Sequence, residues 1–524
     1  MRRTAQNATQ AKTHKFPAPI RGWVENENIA NSRGDACTIL RNGFPTQNSV
    51  MPRGGATRYT QISSGPVESI FTYESGEIVK LFASNSSEIF DVTDATAEGV
   101  SAPSVVSGRS SGKYSVTQAG LVGGEFLVAV NGEDQGLIYD GSDWLPWGTG
   151  TYAIKDKNDN PVDTSKFSYV WKYANRIFAL EKDSKTIWFL PVDVVAGEMK
   201  IFSLAGVLQE GGHLIIGDVW SLDSGAGLDD KCVFISSTGE VAVYRGTDPS
   251  NVNAWAIEGV YDIGTPLGAR ATMRAGGELV VATDGGLVPI SEAIRKDPAA
   301  LSLNSISRAI EPVWVEETLK RGQGDWELLK WDQENKAIVM LPTGKPNWAP
   351  RLFVVNTETG GWCEYDGWDC RCMGIFKRYA FYGDSAGQIV QMEAGGSDLG
   401  QPYTMTIVWQ YKDFGSSIKE KTCHMLQTIC RSNVKPKLKA GVAIDFSIKP
   451  QTPPASIPSY TSSSWGSAVW GVSKWGNSSV VENIYKRNHS IERSGFAFAP
   501  VVQATYQISP RPKMKLLSAT MSYN

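Results

Sequence analysis

The side chains best able to do chemistry in this 524-residue chain are paired carboxylates, neighbouring thiols and four histidines. Asp229 beside Asp230, and Asp366 three residues before Asp369, are the kind of pair that general acid and base catalysis uses. Paired acids are also ordinary in the turns of an acidic β protein, which is the expected reading of both pairs. Cys370 and Cys372 would share a face on a strand, with Cys363 upstream and Cys423-His424 further on. A zinc site normally joins two halves of the C-x(2–4)-C or H-x(3–5)-H kind. Such halves do not form here, so buried free thiols are expected, with no metal and no other cofactor. His14, His213, His424 and His489 are scattered, and the phosphate-loop, H-E-x-x-H and G-x-S-x-G motifs are all missing. Arg33-Gly34-Asp35 spells an adhesion tripeptide short enough to recur by chance. The sequence points away from an enzyme.

The elements around these residues are those of a folded, strand-rich protein of two to four domains, at the usual ~150 residues per domain. Hydrophobic residues make up 41% and charged residues 20%, which excludes a disordered chain. Fifty-two glycines accompany 17 Trp, 18 Tyr and 18 Phe, a composition suited to strands and tight turns. No apolar run is long enough to span a bilayer, so no integral membrane segment is expected. The basic N-terminus lacks the apolar stretch of a secretory signal, which predicts synthesis in a cytoplasm.

One phrase recurs: an apolar run, a turn of Gly, Asp, Ser, Thr or Asn, then a second apolar run, the pattern of a hairpin. It begins at Glu77 (EIVKLFASNSSEIFDV), Glu125 (EFLVAVNGEDQGLIYDG), Asn175 (NRIFALEKDSKTIWFLPV), Lys231 (KCVFISSTGEVAVYRG) and Glu278 (ELVVATDGGLVPIS), then at Lys336 and Arg378. The mean spacing is about 50 residues, the size of one four-stranded propeller blade. The expected fold is mainly β: a β-propeller of six or seven blades over 54–400, an added C-terminal β-sandwich-like domain over 401–524, and an extended N-terminal arm over 1–53. Ile306, Ala309, Ile310 and Val313 form a helical stripe between blades, which Pro312 should kink or restart. Within the C-terminal domain, a Pro/Ser/Gly-rich loop carries Trp465, Trp470 and Trp475, a candidate partner surface.

The opening FPAPIRGWVENENIANSRGDACTILRNGFPTQNSVMPRGG resembles the start of the tail nozzle proteins of short-tailed bacteriophages (podoviruses), also called tail tubular protein B or phage stabilisation proteins. Similar phrasing continues through 175–192, 229–249 and 256–291, and YKDFGSSIKEKT resembles the opening of their C-terminal domain. The resemblance implies a structural virion protein, a homohexamer of propeller subunits forming the distal tail tube. That ring would retain packaged genomic dsDNA and conduct it during ejection. Its implied partners are further copies of itself, a tail adaptor protein and tail fibre or spike proteins. Its implied location is the virion tail, with assembly in the host cytoplasm.

Charge gives that expectation a mechanism. Residues 1–53 hold 8 Lys and Arg against 3 Asp and Glu, residues 54–400 hold 28 against 46, and residues 401–524 hold 15 against 5. A basic tunnel would grip duplex DNA through counterion release, whereas acidic walls would let it slide. Lys435, Lys437 and Lys439 alternate along KPKLKAG, so they are expected on one strand face that meets an acidic neighbour or DNA. The N-terminal arm is a candidate clasp on a neighbouring copy. The alternative is a glycan-binding or glycan-cleaving β-propeller of a phage or bacterium, because turns such as Thr357-Glu-Thr-Gly-Gly-Trp362 resemble the Asp-box turns of sialidase-type propellers. That alternative requires a polar pocket at one mouth of the propeller.

Overall fold

A computed structural model describes residues 11–26, 34–221, 230–251, 253–295, 305–433, 435–447, 482–507, 511 and 513–524. The chain forms two compact units, one of Met1–Thr57, Arg351–Trp368 and Met392–Asn524, the other of Arg58–Pro350 and Asp369–Gln391.

The second unit is a β-propeller of seven successive antiparallel blades. Their innermost strands are Ser69–Ser75, Ser115–Leu121, Phe167–Tyr173, Leu214–Trp220, Thr272–Ala275, Glu327–Trp331 and Cys372–Phe376. Each blade packs on the next and the seventh on the first, so the ring closes. The last blade (Cys372–Phe376, Tyr379–Gly383, Gln388–Gln391) takes its outermost strand, Thr57–Gln61, from the start of the propeller sequence. The repeated phrases prove to be the second and third strands of successive blades, as in Gly124–Val130 with Leu137–Tyr139. The phrase from Lys336 runs past Pro350, where the first unit takes up the chain.

A four-stranded sheet leaves both faces apolar, and the core accordingly lies between blades. Phe71, Phe82 and Ile89 of the first blade meet Leu127, Leu137 and Tyr139 of the second. Trp171, Phe178 and Phe189 of the third meet Phe234, Tyr244 and Trp255 of the fourth. Between the fifth and sixth blades lies the helix Glu311–Arg321, with Pro312 in its first turn, where a missing N–H costs nothing. Proline starts this helix after the short 3-10 turn Arg308–Ile310.

The first unit contains two sheets. One orders Gly43–Pro45, Val50–Pro52, Met514–Tyr523, Lys421–Ser432 and Asn483–Gly495, with Lys12–Pro17 also paired to Met514–Tyr523. The other includes Arg351–Asn356, Trp362–Asp366, Cys37–Arg41, Tyr403–Trp409, Phe498–Tyr506 and Leu438–Ile444. The extended N-terminal segment is thus laid along its own chain from Lys12 onward, with Phe16 and Trp23 buried. Arg351–Trp368, expected within the propeller span, belongs to this unit because Glu364 pairs with Arg41. Charge divides with the fold: the first unit has 24 Lys and Arg against 13 Asp and Glu, the second 27 against 41.

Candidate functional site

Of the three lysines expected on one strand face, Lys439 lies in the strand Leu438–Ile444 of the first unit and Lys435 and Lys437 precede it. Lys435 and Lys437 are exposed and Lys439 is half-buried, while the intervening Pro436 and Leu438 are buried. That alternation puts the three lysines on one face leading into Leu438–Ile444. Lys439 lines an open groove of about 740 Å³ together with Ser490, Ile491 and Arg493. Leu438–Ile444 and Asn483–Gly495 are the edge strands of the two sheets, so the groove is the mouth between them. Sequence reasoning missed Arg493, and with it Lys486 and Arg487 of the same strand. Trp465, Trp470 and Trp475 lie outside the described residues.

Asn483–Gly495 is unusual for its length and exposure. It runs 13 residues, and almost every side chain on both of its faces is exposed or half-buried. Among the described residues it pairs only with Lys421–Ser432, and none of them covers its outer edge with a strand. Natural proteins normally cover or shorten such an edge, because free N–H and C=O groups invite another strand.

The second site lies on the propeller axis, at the end where the innermost strands begin. A cavity of about 350 Å³ is lined by the starts of five of the seven innermost strands and the residues just before them. Lys113 Nζ stands 2.6 Å from Asp325 Oδ1, linking the approach to the second blade with the approach to the sixth across the axis. Arg270 Nη1 donates to the Glu68 carbonyl at 2.9 Å and lies 3.3 Å from Glu327 Oε2. Glu327 Oε1 accepts from the Met373 backbone N–H at 3.1 Å. Five blades, the first, second, fifth, sixth and seventh, are stapled by these contacts. Burial raises the Glu327 carboxyl above the usual carboxylate range, and Arg270 opposes the shift. A second cavity of about 180 Å³ shares Lys113, Arg270 and Asp325 with the first.

The chemical candidates from the sequence do not assemble. Asp229 and Arg33 lie outside the described residues, and Asp366 and Asp369 fall in different units. All seven cysteines are buried free thiols. Burial pushes the Cys430 thiol up to about 11 and Cys423 to about 12, the wrong direction for a nucleophile. Among the described residues, no group of three His, Cys, Asp or Glu is placed to hold a metal. In the turn after Arg351–Asn356, the Asn356 side chain accepts from the Glu358 and Thr359 backbone N–H groups, an Asx turn with a structural role.

No known family profile matches the chain, and no curated protein matches it. Solved structures similar to it include YCF48 from Cyanidioschyzon merolae, at 10% identity and TM-score 0.37, covering 64% of this chain and 98% of that one. The Myceliophteria thermophila Cps50 (Swd1) β-propeller domain matches at 11% identity and TM-score 0.38, with 65% and 99% covered. BBS1N in complex with ARL6DN matches at 10% and 0.37, with 65% and 97% covered. The chain is mainly β and built on a β-propeller; strand order and ring closure carry that assignment. Among the described residues no helix is long and apolar enough to cross a membrane.

Proposed function

We propose that the chain is a non-catalytic structural subunit of a ring, the distal tail tube of a short-tailed phage. The observation that carries this reading is the 13-residue edge strand Asn483–Gly495, whose second edge pairs with no strand among the described residues, a surface that a solitary soluble protein would cover. The opposite charge of the two units supports it, because a basic unit on one copy and an acidic propeller on the next are electrostatically complementary. The order of nozzle-like phrases along the sequence supplies the specific assignment.

The same geometry says where DNA would not go. The Lys113–Asp325 pair crosses the propeller axis and the axial cavity is about 350 Å³, so the centre of one propeller is no conduit for a duplex. The conduit in this reading is the space enclosed by several copies, with acidic propellers supplying walls that do not grip. Mass measurement of the purified chain in low and high salt, with and without its tail neighbours, tests the assembly. A closed homo-oligomer that salt weakens supports the reading; a monomer under every condition contradicts it.

A further inference from the structure

The axial cavity of the propeller has a lining with a definite chemical preference. Two cations, Lys113 and Arg270, and two anions, Asp325 and Glu327, face it, so the charged groups cancel. An anion would need an excess of cations and a metal ion would need carboxylates free of them; this cavity offers neither. The hydroxyl-bearing Ser168, Tyr169 and Thr272 share the lining, with Phe71 as an apolar wall. Paired charges that keep spare donor and acceptor positions, beside hydroxyls and an aromatic ring, match a ligand with many hydroxyls and no net charge.

Size and shape narrow the class further. Small-ligand sites run from ~300 Å³ upward, and the 350 Å³ cavity meets that threshold for a compact molecule. The neighbouring 180 Å³ cavity shares Lys113, Arg270 and Asp325 with it, so the site has two lobes that meet at the Lys113–Asp325 pair and Arg270. Lys113 and Asp325 are each about half exposed, at 51% and 52%, and so are reachable from solvent. We propose that this two-lobed axial site binds a neutral saccharide of one or two rings, with Lys113 and Asp325 gripping hydroxyls at the junction. Binding without cleavage is the expectation, because each carboxylate is committed to a cation and Glu327 also to the Met373 N–H.

This proposal is independent of the tail-tube reading, since the cavity belongs to a single propeller. The test is calorimetric titration of the full chain with glucose, galactose, mannose, N-acetylglucosamine, maltose, lactose, cellobiose and chitobiose, with glucuronate and sialic acid as anionic probes. At least one neutral sugar should bind. Asp325→Ala and Lys113→Met, both at an exposed pair, should each weaken it about tenfold or more while circular dichroism stays unchanged. No binding by any neutral sugar, preference for the anionic probes, or equal affinity in both variants would each overturn the proposal.

Discussion

Arg53 meets Asp398 through two parallel hydrogen bonds, Nη1 to Oδ1 at 2.8 Å and Nη2 to Oδ2 at 2.6 Å, with the guanidinium wholly buried. Its flat faces are covered by Trp368 and Tyr403, whose ring centroids lie 4.3 and 4.2 Å from Cζ. Trp368 Nε1 also donates to Asp398 Oδ1 at 2.9 Å, and Asn42 Oδ1 accepts from Arg53 Nε at 2.8 Å. One side chain near residue 50 thereby ties segments around residues 42, 368 and 398–403 into the first unit.

Removing half of such a pair leaves a buried charge without its partner, which typically costs about 3 to 5 kcal/mol. Arg53→Ala should destabilise the first unit by that order in urea unfolding. Arg53→Met combined with Asp398→Leu should recover much of the loss, since no stranded charge remains. Equal losses in the single and double variants would show that ring packing, and not the ion pair, dominates.

Gly217 of the fourth blade faces the Trp171 ring of the third. A Cβ there would lie 2.4 to 2.6 Å from the Trp171 ring, against rigid atoms of a buried side chain. Gly217→Ala should cost about 1 to 3 kcal/mol by overpacking, and Gly217→Ala with Trp171→Leu should be milder than Gly217→Ala alone. Thermal unfolding of the three proteins checks this.

The thiols make a chemical prediction with a definite sign. Folding raises the Cys430 and Cys423 thiols to about 11 and about 12, so thiolate is scarce in the native state at pH 8. A disulfide-exchange reagent should label almost none of the seven in native protein and all seven in denaturant. Fast native labelling of Cys370 or Cys372 would reopen a catalytic or redox reading.

Lys435, Lys437 and Lys439 lie on one face beside an open edge, so reversing their charge should leave the fold intact and impair association. The triple change to Glu should shift the assembly midpoint by about tenfold or more in protein concentration at low salt. That gap should shrink at high salt. Unchanged assembly at both ionic strengths would remove these lysines from the interface.

What the sequence made legible follows from local physics. The hairpins from Glu77 to Arg378 stand out because second and third strands such as Gly124–Val130 and Leu137–Tyr139 are buried between blades and bounded by turn-forming residues. The innermost strands were not legible: Ser115–Leu121 is half-buried along nearly its whole length and has no clear alternation. The turns that follow innermost strands hide too, since Ala174-Asn175 and Lys377-Arg378 adopt positive φ without glycine. The axial residues Lys113, Arg270 and the Asp325/Glu327 pair come from three different blades, so ring closure brings them together and no local spacing announces the set. The transfer of Arg351–Trp368 to the other unit is equally silent, because its apolar pattern continues the blade rhythm.

In the proposed reading this chain is one subunit of a tube. Electron microscopy of the native particle containing it, with averaging about the tail axis, is the decisive measurement. The account predicts a closed ring of copies at the tip of a short tail, enclosing a channel wide enough for duplex DNA and walled by acidic propeller surface. Isolated propellers without a shared axis, or a channel walled by Lys and Arg, would contradict it.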